Sequence, residues 1–138
     1  MSAARVTTTH PAGPDHQVVN IVGGGSGYRR QPCATCPWRV DMIGEFPAEA
    51  FKISAHTSHD MDGTLFGCHS SGKDRPATCA GFLLKGAQHN LAYRMACSRG
   101  EIDPRKVHDG GHPLFENYRQ MAVANGVPAD DAALKNCR

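Results

Sequence analysis

Apolar and polar positions change their rhythm several times along this chain. Up to residue 30 the pattern is broken. Thr7, Thr8, Thr9, Pro11, Gly13 and Pro14 give a polar stretch interrupted by turn formers. The run Val18-Val19-Asn20-Ile21-Val22 predicts one short strand, able to pair with a sheet edge of its own domain or of a partner. Gly23-Gly24-Gly25-Ser26-Gly27 then reads as a flexible linker. A phosphate-cradling loop would need a helix directly after these glycines, and Arg29-Arg30-Gln31-Pro32-Cys33 begins none. The expected division is therefore a flexible arm over 1–30 and a core domain over 31–138.

Within the core the rhythm becomes helical in pieces. Pro47 suits the first turn of a short helix through Ala48, Glu49, Ala50, Phe51 and Ile53. Thr64-Leu65-Phe66 is a compact apolar run read as a strand that delivers Cys68 and His69. Residues 77–98 form the longest helical stretch. Phe82, Leu83, Leu91, Tyr93, Met95 and Ala96 supply its apolar surface, Gly86 can divide it, and Gly100 is its stop. Leu114 to Ala124 predicts a further helix ended by Asn125-Gly126, and Pro128 opens a last turn. The fold class expected is α+β: a small, loop-rich, mostly helical single domain with a few short strands, stapled by a metal.

Composition explains why a staple is expected. Of 138 residues 40% are apolar, and 15 glycines and 9 prolines favour loops over long elements. A core this thin leaves little net stability, which a bound ion can supplement. The net charge of +2 does not mark a nucleic-acid binder. Arg29, Arg30 and Arg39 around the first cysteines, and Lys73 and Arg75 farther on, read as solvent-facing charges that offset thiolates rather than as a phosphate patch. No apolar run approaches the ~20 residues of a membrane span, and Met1 to Thr9 has no signal-peptide pattern. The expected compartment is the reducing cytoplasm, where six cysteines serve as ligands or buried thiols rather than disulfides.

Cys33-Ala34-Thr35-Cys36 is a C-x2-C pair, whose tight turn can point both sulfurs at one cation. Cys68-His69 and Cys79 follow at separations suited to a second half-site. Four donors close a structural zinc site, so the expected set is Cys33, Cys36, Cys68 and Cys79, with His69 replacing Cys68 as the rival. In a strand the adjacent Cys68 and His69 point to opposite faces and cannot both serve one ion. Zinc is the expected occupant and an iron–sulfur cluster the alternative. Pro37 after Cys36 favours the cluster, because proline has no N–H to offer a sulfur. A thioredoxin-like dithiol needs a lead-in strand that residues 27–32 do not provide. Cys97 reads as a small buried hydrophobe, and Cys137 as an exposed thiol near a fraying end.

Other candidates are weaker. His56, His59, Asp60 and Asp62 have spacing compatible with a second metal site or a hydrolase centre, but read better as a polar loop entering the Asp62-Gly63 turn. His108, Asp109 and His112 around Gly110-Gly111 read as another loop. Trp38 is expected to shield the site and pack in the core rather than stack on a base, and Tyr28 with Arg29 and Arg30 is a slight footprint for phosphate binding.

The order Pro32-Cys33-x-x-Cys36-Pro37-x-Arg39, Phe66-x-Cys68-His69 and Cys79-Ala80-Gly81 resembles an uncharacterised small cysteine-rich family of actinobacteria and their phages, a domain of unknown function. The likeness continues through Leu91-x-x-Arg94, Gly100-x-Ile102-Asp103 and Pro113-Leu114-Phe115, and so covers about residues 31 to 126. It implies that Cys33, Cys36, Cys68, His69 and Cys79 are the shared site, and it implies no activity. The chain departs from the family pattern at Phe82, where a Trp often follows the glycine.

No catalytic constellation emerges. The expectation is a metal-binding module acting through a protein partner or, on slighter grounds, a nucleic acid, with no membrane role. The alternatives are an iron–sulfur or dithiol redox protein and a structural or assembly protein of a phage particle.

Overall fold

The computed structural model describes the backbone of residues 5–11, 17–22, 27–68 and 77–137, with side chains from residue 27 onward. His69, Lys73, Arg75 and most of the glycine linker lie outside the described residues. The strands are β1 (Arg5–Pro11), β2 (Gln17–Val22) and β3 (Leu65–Phe66), and the helices are α1 (Ala48–Ser54), α2 (Ala80–Lys85), α3 (Leu91–Ser98) and α4 (Tyr118–Ala124). Single 3-10 turns lie at Val40–Met42, Ala55–Ser58, Pro104–Lys106 and Ala132–Leu134. The architecture is a mixed, helix-rich and loop-rich single domain, as the patterning predicts.

The Val18–Val22 run is a strand. It pairs antiparallel with β1 on one side and with β3 on the other, through Asn20↔Phe66 and Ile21↔Leu65. The polar stretch before it, expected to be broken, runs as β1. Its threonines are β-branched and suit extended backbone.

Residues 77–98 divide at Gly86 into α2 and α3. The second piece starts at Asn90, whose Oδ1 accepts the Tyr93 N–H at 2.9 Å. Its Nδ2 donates to the Thr57 carbonyl at 3.0 Å and the Thr64 carbonyl at 2.8 Å. This buried amide thus ties α3 to the turn after α1 and to the entry of β3. After α3 the chain reverses at Gly100, where φ is +74°, a conformation that favours glycine. The predicted helix from Leu114 begins only at Tyr118. Leu114 is held extended by a bridge to Arg39, and Asn117 accepts the Gln120 N–H to start α4.

The core gathers Trp38, Phe51, Phe82, Ile102, Tyr118 and Leu134, each at most 2% exposed. Trp38 meets Tyr118 edge-on at 5.7 Å and Phe66 edge-on at 6.1 Å, and Phe66 stacks on Phe82. Such aromatic pairs add about 0.5–1.5 kcal/mol each beyond their buried area. Trp38 lies in a slot on α2 whose walls lack side chains at two points. A Cβ on Gly81 would come within 2.4 Å of the Trp38 Cβ, and one on Gly86 within 2.5 Å of the far edge of the indole. The slot fixes the residues after Cys36 against the helix that Cys79 precedes.

Candidate functional site

Cys33 and Cys36 occupy one turn, closed by the Cys36 N–H donating to the Cys33 carbonyl at 3.2 Å. Arg39 braces that turn. Its guanidinium donates to the Ala34 carbonyl at 2.8 Å and the Cys33 carbonyl at 3.4 Å, and grips both oxygens of Asp41 at 2.9 and 2.6 Å. Arg39 therefore does more than face solvent. It holds the loop and sets a positive charge beside Cys36 and Cys33. The Arg39 guanidinium holds the Asp41 carboxyl below the usual carboxylate range.

Cys68 and Cys79 come from a short ladder. Cys68 N–H donates to the Ala77 carbonyl at 2.7 Å and Cys79 N–H to the Phe66 carbonyl at 2.9 Å, around an antiparallel bridge of Gly67 with Thr78. Gly67 and Thr78 share one face, so Phe66, Cys68, Ala77 and Cys79 share the other. Cys68 and Cys79 are thus diagonal neighbours, for which Cβ separations run to roughly 7 Å. On the far edge Thr78 also pairs in parallel with Tyr28, and the alternation carries Arg29 onto the cysteine face. Cys79 is expected just inside a helix. It stands instead at the N-cap of α2 with extended backbone, and that is why it belongs to the ladder.

The two halves meet where the Cys36 and Cys79 sulfurs lie 3.6 Å apart, both buried, across 43 residues of sequence. A disulfide would hold them at about 2.05 Å. Two thiolates on one tetrahedral zinc, each at about 2.3 Å from the ion, stand about 3.8 Å apart. None of the six cysteines is in a disulfide. Among the described residues, no group of three or more His, Cys, Asp or Glu side chains is gathered closely enough to hold an ion. The structure thus brings Cys36 and Cys79 to ligand spacing, puts Cys33 on the same turn and Cys68 on the same face, and leaves His69 outside the described residues.

The thiol chemistry follows from that packing. A hydrogen bond with Cys33 draws the Cys36 pKa down, but the Cys79 thiol and burial together push it well above the ordinary thiol value. Trp38 supplies what Pro37 lacks, because its backbone N–H donates to the Cys36 sulfur and favours the thiolate. Pro37 therefore does not leave the Cys36 sulfur without a backbone donor, and so does not by itself favour a cluster.

The remaining cysteines differ from expectation. Cys137 is buried, not exposed, and its sulfur donates to the Ala55 carbonyl at 3.3 Å. Arg119 secures the chain end by donating to the Leu134 and Cys137 carbonyls. Cys97 is half-buried and interacts with Tyr93, whose hydroxyl is pushed up to about 12 by burial and by that thiol. His56 and His59 do not converge: His56 faces Asp62 at 3.4 Å, and His59 faces the Ala133 carbonyl at 3.4 Å. No helix among the described residues is long and apolar enough to cross a membrane.

Neither a curated protein nor a solved structure matches the chain. A family model does match residues 28–138, a span that holds the C-x2-C turn, the ladder and the glycine slot. The chain therefore belongs to the family of unknown function DUF6283.

Proposed function

We propose that this protein is a small metal-binding module of the cytoplasm that acts through a protein or nucleic-acid partner. Its ion, zinc in this reading, would be held by Cys33, Cys36, Cys79 and either Cys68 or His69. The observation that carries the reading is the 3.6 Å contact of Cys36 with Cys79. It matches the spacing of two thiolates on a single tetrahedral ion. In a cubane iron–sulfur cluster each thiolate binds its own iron and the sulfurs spread farther apart, so this contact favours zinc over that cluster. Cys68 is preferred to His69 because it shares a face with Cys79. The ion would clamp the turn before Trp38 to the start of α2, and it would need Cys33 and Cys68 to close on the central pair. Thiolates are the binding form, so loading releases protons and weakens in acid.

The test is elemental analysis of the full chain purified without oxygen, with its visible spectrum. One zinc per chain and no visible band are expected, with the zinc lost in Cys36→Ser and Cys79→Ser and kept in Cys97→Ser. Separate Cys68→Ser and His69→Ala variants identify the fourth ligand. Stoichiometric iron with a visible band would replace zinc by the cluster, and fully reduced protein without metal would end the reading.

A further inference from the structure

The geometry points to a three-thiol relay, in which a hydroperoxide oxidises Cys33 and the resulting disulfide is passed inward to Cys36 and Cys79. The relay stands on the thiol arrangement alone. Its consequence for a bound ion rests on the function proposed above.

Three observations carry it. First, the thiols are graded in exposure. Cys33 is half-buried, whereas Cys36 is 0%, Cys79 3% and Cys68 5% exposed. An oxidant from solvent meets Cys33 first. Second, Cys36 lies between the other two. It shares the hydrogen-bonded turn with Cys33, and its sulfur is in contact with that of Cys79. Third, the competing bridge is poorly placed. Cys68 and Cys79 are diagonal on their ladder, whereas a disulfide needs Cβ atoms about 3.5–4.5 Å apart.

The chemistry runs in three steps. The Cys33 thiolate attacks one oxygen of the hydroperoxide. An S–O bond forms and the O–O bond breaks, the departing hydroxide or alkoxide takes up the proton that Cys33 gave up and leaves as water or an alcohol, and Cys33 becomes a sulfenic acid. The Cys36 sulfur, giving up its proton, then attacks the Cys33 sulfur. The S–S bond forms and the S–O bond breaks, and the departing hydroxide takes that proton to leave as water. Finally the Cys79 sulfur, losing its proton, attacks Cys36. The Cys33–Cys36 bond breaks, and Cys33 leaves as a thiolate that takes up the proton. The last step exchanges one disulfide for another without net oxidation. It also buries the disulfide away from reductants. An ion held by Cys36 and Cys79 would lose both ligands, so the relay would regulate the proposed site by oxidation.

The experiment uses metal-free full-length protein with hydrogen peroxide at one equivalent, quenched by alkylation and mapped by mass spectrometry. A Cys36–Cys79 disulfide with an alkylatable Cys33 is expected. Cys33→Ser should oxidise at least tenfold more slowly, and Cys79→Ser should stop at Cys33–Cys36. Cys97→Ser should behave as the parent, and native near-ultraviolet circular dichroism confirms that each variant is folded. A final Cys33–Cys36 bridge in the parent, a Cys68–Cys79 bridge, or Cys33→Ser oxidising at the parent rate would overturn the relay. Since no metal is present in this arm, its outcome is separate from that of the elemental analysis. Zinc release from loaded protein, read with a chromogenic chelator, tests the regulatory consequence.

Discussion

Cys36 and Cys137 are both buried thiols in the same core, and both have pKa values above the ordinary thiol value, but their neighbours differ in kind. Cys137 donates its proton to the Ala55 carbonyl, a fixed acceptor that fits the neutral thiol. Cys36 instead meets another thiol, Cys79, and receives the Trp38 N–H, a donor suited to the thiolate. Sulfur is a weak acceptor, so the Cys36–Cys79 contact is a poor resting place for two protons. A thiol satisfied by a backbone acceptor is structural, whereas a thiol set between two other thiols and an N–H donor is placed for an ion or for oxidation.

The largest effect expected is from breaking the slot that makes this difference. Trp38→Ala should cost about 3–5 kcal/mol in urea unfolding, in the range of large aromatic truncations. Gly81→Ala should cost about 1–3 kcal/mol or more, because its methyl group would overlap the Trp38 Cβ. In native Gly81→Ala, Cys36 and Cys79 should become alkylated much faster while Cys137 stays protected. Equal protection of all three would show that the slot does not set the sulfur contact.

A middle-sized effect separates the two thiols. Cys137→Ala should cost about 1–3 kcal/mol, since it removes the thiol's hydrogen bond to the Ala55 carbonyl and leaves a small void. That cost should be the same with and without zinc. The cost of Cys36→Ser should be larger with zinc present than after chelation, because only then does the parent have an ion that the variant lacks. Thermal melts of the parent and the two variants, each with and without zinc, check this, and a zinc-dependent cost at Cys137 would erase the distinction.

The smallest effect is a pH slope. Burial pushes the Cys137 thiol up to about 11 from an ordinary value of 9.0, although the Arg119 cation draws it down. The folded state therefore holds this proton more tightly than the unfolded one. The stabilisation is complete below about pH 9 and is lost as pH rises through about 11. Urea midpoints between those values should fall less steeply in Cys137→Ala than in the parent. Parallel slopes would mean that the thiol contributes nothing there.

Much of this was readable from local pattern. The Pro47 helix start, the break at Gly86 and the short strand at Leu65 follow from turn formers and apolar spacing, which act over a few residues. The C-x2-C turn is equally local. The contact of Cys36 with Cys79 is not, because it depends on Trp38 lying across α2, and no periodicity records that two glycines five residues apart are the walls of a slot. The late start of α4 escaped for a similar reason: Leu114 is drawn into a bridge with Arg39, far away in sequence. The burial of Cys137 rests on Arg119 and the Ala55 carbonyl, neither of which proximity to the chain end reveals.

Trp38 is the single tryptophan of the chain, wholly enclosed, and next to the residues that join the two halves of the sulfur cluster. Its ultraviolet emission is therefore a built-in optical gauge of whether the cysteine turn is seated on α2. An enclosed indole emits at short wavelength, and nearby thiols quench it. Unseating the turn should shift the emission to the red before the rest of the chain unfolds, and seating should be measurable in real time without a dye or label.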